Sequence, residues 1–235
     1  MAAGETGVQR QRGPQPAPRG QPGTGPLAHA ALAGVGGFVV AMLALHWLQP
    51  GLGLRDDAIS YAVHGPYGWL VTVGLLALGL GSLALTVGIA WSGPQRGMAA
   101  GRWLLAIWTA GVLLGAVFPA DPPGNWNKPP SPAGAVHGMV SLVAFVALPL
   151  AGLLLALGLR RDQRWRPLGA WLLALALAST AALLAFLAAL APAIISPGPP
   201  VLLGLTERVL LVADTAWLAA AGIGLRRVSS RRSSN

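Results

Sequence analysis

Cysteine is absent from all 235 residues. That excludes disulfides, thiolate metal sites and a cysteine nucleophile, and it removes the usual indicator of redox compartment. Charge is the second shortage. Asp, Glu, Lys and Arg make up 10% of the chain, and only seven residues are acidic; soluble domains run nearer about 25% charged. Motifs are scarce as well. There is no phosphate loop, dinucleotide fingerprint or Gly-x-Ser-x-Gly elbow, and no two histidines stand at His-x-x-x-His spacing. No cofactor and no metal is therefore expected.

Hydrophobic residues fill 54% of the chain. Water does not solvate such a chain as a monomer, so the sequence reads as a membrane protein. The net charge of +9 is carried by fifteen Arg and one Lys. A basic balance can signal nucleic acid, but these arginines fall in short segments between apolar runs, which is how a membrane protein sets its orientation. No nucleic-acid partner is expected. The preference for Arg over Lys, with abundant Ala, Gly and Pro, suggests a GC-rich bacterial genome.

Residues 1–26 are rich in Gly, Pro, Gln and Arg and read as a disordered cytoplasmic tail. The apolar run that follows is too long for a signal-peptide core and reads as a retained helix. Six runs are long enough to cross a hydrocarbon core of about 30 Å at about 1.5 Å per residue. They are Leu27–Leu48, Tyr67–Trp91, Ala99–Phe118, Gly134–Leu159, Pro167–Ala191 and Val201–Leu225. None alternates as a barrel strand would. The predicted fold is an all-α, six-helix transmembrane bundle over residues 27–225, with a basic cytoplasmic tail at 226–235. Gly111-x-x-x-Gly115 offers a small-residue packing surface, which by itself predicts no dimer.

The cations set the orientation. Thirteen of the sixteen fall in the two tails and in the second and fourth connections, among them Arg96, Arg102, Arg160, Arg161, Arg164 and Arg166. Only Arg55, Lys128 and Arg208 fall on the other side. The positive-inside rule puts both termini in the cytoplasm, in a multi-pass protein of the plasma membrane. The lipid bilayer is then its first partner.

With that topology the polar residues separate by side. Asp56, Asp57, Ser60, His64, Asp121, Asn125, Asn127 and Lys128 occupy the first and third connections, both external. His46, His137, Glu207 and Arg208 lie near the same side in helices one, four and six. On helix four, Gly134, His137, Gly138 and Ser141 share one face. On helix six, Glu207 and Asp214 are about 20° apart around the axis and roughly 10 Å along it. Asp214 lies near the bilayer midplane, where an ionised carboxylate costs at least ~2.5 kcal/mol. It is expected to face the bundle, either as a functional carboxyl or as a neutral group bonded to a hydroxyl such as Thr72, Ser82, Thr86, Thr109 or Ser179, with the neighbouring helix left open. Arg55-Asp56-Asp57 reads either as a site element or as a loop with local ion pairs. Asp121-Pro-Pro-Gly reads first as a turn. His137 is either a base or a helix-start histidine bonded to a loop carbonyl.

These positions carry a family resemblance. Asp57-x-x-Ser60, Phe118-Pro-x-Asp121, His137 opening helix four, and Gly204-x-x-Glu207-Arg208 resemble the pattern of an uncharacterised prokaryotic family, domain of unknown function 998. The resemblance covers Leu27 to about Leu225. It implies about six helices and a membrane location, and it implies no substrate.

Three functional readings follow. The first is an integral membrane protein with a polar pocket on the extracytoplasmic side, its activity unspecified. The second is a membrane-embedded hydrolase acting on a lipid or isoprenoid-linked substrate. There His137 would be the base, Asp57 or Asp121 its orienting partner, and Arg208 the holder of an anionic lipid headgroup. Ser60, His64 and Glu207 would complete the ligand-binding set. The third is a proton- or cation-coupled transporter using Asp214 and Glu207. The external-site readings expect His137 within hydrogen-bonding or one-water reach of Asp57, Asp121, Glu207 or Arg208; a transporter needs Asp214 and two-sided access instead, and a non-catalytic partner subunit needs neither.

Overall fold

The computed structural model describes residues 23–92, 97–124, 128–195 and 198–230. Six helices carry the chain: α1 (Gly25–Leu48), α2 (Trp69–Trp91), α3 (Ala99–Val117), α4 (Pro132–Leu159), α5 (Arg166–Ile195) and α6 (Leu203–Ser230), with a short 3₁₀ helix at Ile59–His64 in the first connection. All six are long and apolar enough to cross a membrane. No strand occurs among the described residues. The predicted all-α membrane bundle is the fold observed; the sidedness of its termini stays an expectation.

Local chemistry moves several helix ends. Gly25 and Pro26, read from the sequence as tail, form the first turn of α1, where a proline loses no hydrogen bond. Pro132 likewise opens α4 two residues before Gly134, behind Ser131 as N-cap. Phe118 leaves α3 in an extended conformation, as a residue before proline should. Arg226 and Arg227, assigned to the tail, continue α6 to Ser230 with Val228 buried beneath them. Cations in a last turn also suit the helix dipole. Residues 1–22 and 231–235, and Arg96, Asn125 and Asn127, lie outside the described residues.

Each helix packs against its neighbours in sequence, and α6 closes the ring onto α1 while also reaching α2 and α4. It is the most enclosed span, with 56% of its apolar window buried against 33% for α5. α1 and α2 cross closely, since a Cβ on Gly34 would lie 2.6 Å from the Gly81 Cα. Gly111 does the same for α3 and α4, since its Cβ would meet Ala144 at 2.8 Å. The small-residue pair Gly111/Gly115 is thus used inside the bundle. Large apolar side chains such as Val40, Leu43, Leu80 and Val212 point outward, an arrangement suited to acyl chains.

The core has two parts. The larger runs the length of the bundle through Leu45, Leu78, Trp108, Leu155 and Leu225. The smaller gathers Ala58, Leu183, Phe186, Leu203 and Leu210 at the end carrying the first, third and fifth connections. It borders the cavity described next.

Candidate functional site

Three connections meet at that end because α6 holds the first one down. Leu205 N donates to Arg55 O at 2.9 Å, and Leu202 N to Asp56 Oδ1 at 2.8 Å. Leu202 itself takes a left-handed backbone with φ of 63°. Asp56 thus reaches across the fold; its approach to Arg55 is loose at 3.9 Å. A Cβ on Gly204 would overlap the carbonyl of Asp57, so only glycine lets the loop lie on the first turn of α6. Arg208 fixes this contact. Its Nη1 donates to Asp57 O and Gly204 O, both at 2.8 Å, and to Leu54 O at 3.3 Å, while Nε donates to His46 Nε2 at 3.0 Å. His46 can accept because its Nδ1 donates to Met42 O at 2.7 Å. The third connection is tied in by His64, whose Nε2 lies 2.8 Å from Ala120 O.

Beneath this roof is a cavity of about 540 Å³ between α4, α5, α6 and the loops. Its polar lining includes Ser60, Asp121, Lys128, His137, Ser141 and Glu207. Its apolar side is made by Leu142, Phe145, Phe186 and Leu190, with the two phenyl rings edge to face at 5.2 Å. A second, smaller space of about 50 Å³ continues inward past Phe38, Leu78 and Trp108, and His137, Ser60 and Glu207 border both.

His137 is buried and bonded through Nδ1 to Phe118 O at 2.8 Å. That carbonyl stands at the C-terminus of α3, where a helix leaves acceptors without intrahelical donors. A carbonyl can only accept, so Nδ1 carries the proton and Nε2 is left as the acceptor. No direct hydrogen bond joins His137 to Asp57, Asp121, Glu207 or Arg208: Phe118 O takes Nδ1, and Nε2 is left beside the cavity that Asp121 and Glu207 also line. Glu207 is buried, with Oε2 accepting from Ile59 N at 2.7 Å. Asp121 accepts from Ser131 N at 2.9 Å and Ser131 Oγ at 2.6 Å, and the Ser131 hydroxyl in turn caps α4 at Gly134 N. The Ser131 hydroxyl and amide hold the Asp121 carboxyl below its ordinary value, with smaller help from His64 and His137.

The sequence-predicted residues accordingly divide. Ser60, Asp121, His137 and Glu207 line one cavity. Asp57 does not; its Oδ2 accepts from Gly53 N at 2.8 Å, which closes a tight turn. Arg208 and His64 are committed to holding loops. Asp214 is fully buried away from the cavity, with Oδ1 accepting from the Ser179 hydroxyl of α5. Its Oδ2 has no partner among the described residues, and neither has the indole nitrogen of Trp217 one turn on.

Sequence reading missed Tyr61 and Phe145. Continuing the Gly134–Ser141 stripe of α4 by one more turn would have found Phe145. Tyr61 had no such signal, because only the 3₁₀ turn brings it beside Ser60 on the cavity wall. Burial, and then the negative charges of Glu207 and Asp57, push its phenol up to about 12. It is therefore a neutral hydroxyl at any physiological pH.

A bundle of six membrane-length helices with a pocket roofed by its loops defines a multi-pass integral membrane protein. The model of the family described as "Protein of unknown function (DUF998)" matches residues 32–224, and the chain belongs to that family. No curated protein and no solved structure matches it.

Proposed function

We propose that this chain is a plasma-membrane protein whose cavity faces the extracytoplasmic side and binds the polar head of a membrane amphiphile. The sidedness rests on the arginines. Arg160, Arg161, Arg164, Arg166, Arg226 and Arg227 gather at the end opposite the cavity. The ligand class rests on α5. No residue of that helix is buried after Phe186, although the helix continues to Ile195. Its last turns are less enclosed: Leu187 and Leu190 are only partly buried against the smaller core, and Phe186 and Leu190 line the cavity there. A pocket with polar groups at its roof and an apolar wall continuous with a lipid-facing helix suits a molecule of the same two-part character.

Gly138 provides the test. It lines the cavity, and a Cβ there would meet nothing within 4 Å. Gly138→Leu therefore puts an apolar side chain into the cavity from a position with room for its Cβ, and leucine is the better helix former by ~1 kcal/mol. Added membrane lipid is expected to raise the thermal unfolding midpoint of the purified chain, and Gly138→Leu to abolish that rise. An unchanged lipid response in the variant would overturn the reading.

A second reading is hydrolysis, and one observation favours it: the Nδ1 bond to Phe118 O presents Nε2 of His137 to the cavity as a base. His137 would take a proton from water while the hydroxide attacks an ester of the bound amphiphile, and the proton would pass to the leaving oxygen. Incubating the protein with radiolabelled lipid checks it. Headgroup or acyl release should fall by about 10²-fold or more in His137→Asn; equal release by both proteins would reject the reading. The transporter alternative leans on Asp214, which lies off the cavity against Ser179.

A further inference from the structure

We infer that the head taken by this cavity carries an ammonium group, as in a zwitterionic amino-phospholipid, with Glu207 and His137 receiving the ammonium and Lys128 meeting the phosphate. The inference rests on the amphiphile-binding reading above and names the chemistry of its head.

The deep end of the cavity is rich in acceptors and poor in cations. His137 offers Nε2, which has no described protein partner. Glu207 spends Oε2 on the Ile59 amide, and Oε1 has no hydrogen bond among the described residues. Ser60 and Ser141 add hydroxyls that turn either way. The arginine that could have held an anionic head does not line this cavity: Arg208 spends Nε and Nη1 on His46 and loop carbonyls, and its Nη2 is buried without a described partner. A carboxylate buried this deeply is costly unless a cation pairs with it. Among the described lining residues the one fixed cation is Lys128, in the third connection at the mouth, which Asp121 also lines.

The charges thus run from Lys128 at the mouth to acceptors in depth. A phosphate at the mouth and an ammonium inside match that order, with charge-assisted hydrogen bonds at both ends. The rings of Tyr61, Phe145 and Phe186 in the wall suit the same cation through their π faces. Acyl chains would leave along Leu142 and Leu190 toward the lipid side of α5.

The experiment follows thermal unfolding of the purified full-length chain in a non-ionic detergent. Phosphatidylethanolamine, phosphatidylglycerol and an uncharged diglucosyl diacylglycerol with matched acyl chains are titrated in turn. Phosphatidylethanolamine should raise the midpoint at concentrations at least about tenfold lower than the other two, as expected for one charge-assisted contact. In Glu207→Gln the amide oxygen can still accept from Ile59 N, while an NH₂ donor replaces the oxygen facing the ligand. That variant should fold and lose the preference, and Gly138→Leu should respond to none of the three lipids. Equal response to all three lipids, or a preference kept in Glu207→Gln, would overturn the head assignment while leaving amphiphile binding standing. No response to any lipid, with Gly138→Leu behaving as the unaltered chain, would overturn both. The lipid series on the unaltered chain decides the head assignment by itself if Glu207→Gln does not fold.

Discussion

Glu207 and Asp214 lie on one face of α6, two turns apart, and both are buried. Their surroundings differ in kind. Glu207 touches a loop amide and borders empty space, so part of its hydrogen-bonding capacity faces a volume that a ligand can enter. Asp214 touches a serine on a helix packed directly against its own, and it lines neither of the two cavities that Glu207 borders. An intramembrane carboxyl is a functional candidate by default, but the same residue class serves here as a pocket wall in one place and as a link between two helices in the other. Free volume beside the group separates the two roles; burial does not.

The comparison can be broken by substitution along α6. The largest effect is expected at Arg208, which anchors the roof next to Glu207. Arg208→Ala removes hydrogen bonds to Leu54, Asp57, Gly204 and His46, and should cost about 3–5 kcal/mol of stability in detergent unfolding. Arg208→Lys should recover little, because a single ammonium cannot replace the planar fork. A fully stable alanine variant would show that the first connection is held by other means.

Substituting the two carboxyls sharpens the contrast directly. Glu207→Ala leaves the Ile59 amide buried without an acceptor, at a cost of about 1–3 kcal/mol. Asp214→Leu should change stability by less than ~1 kcal/mol, because the freed Ser179 hydroxyl can turn to a carbonyl four residues back, as Thr180 does to Ala176 O at 2.8 Å. Its lipid response should be unchanged. If Asp214→Leu is the more damaging of the two, the contrast drawn here is reversed.

The smallest effect concerns the mouth. Asp121 has its carboxyl held low in the folded protein, so its contribution is present above the ordinary carboxyl range and is lost as pH falls through its folded value. Acidification below about pH 4 should loosen the Asp121–Ser131 cap of α4 and increase amide exchange at Gly134. Asp121→Asn should show that faster exchange already at neutral pH and lose the acid-dependent step. An acid-dependent step that persists in Asp121→Asn would assign it to another group.

Part of the site was legible along the chain. The i, i+3, i+4, i+7 stripe placed His137, Gly138 and Ser141 on one face of α4, and all three line the cavity. The alternation of connections brought Ser60 and Asp121 to the same end as Glu207. Asp57 shows where such reasoning stops. One residue away, Asp56 reaches the Leu202 amide across the fold while Asp57 turns back to Gly53, and no pattern in Arg55-Asp56-Asp57 distinguishes them. Arg208 shows it again. Its charge suggested an anionic ligand, but the first connection folds over it and supplies the acceptors first.

The sequence by itself determined the six helices, because a chain that is 54% hydrophobic and 10% charged has few other ways to satisfy its backbone in a bilayer. It also determined the end at which the polar residues collect, since that follows from counting spans. Only the tertiary structure decided which of those residues face one another. A helix fixes spacing along its own axis, but the neighbour each face meets depends on how six helices pack and where a 3₁₀ turn in a loop comes to rest. Where α5 loses its full burial, after Phe186, and which of its residues wall the cavity are properties of the packed bundle, invisible in a run of alanine and leucine.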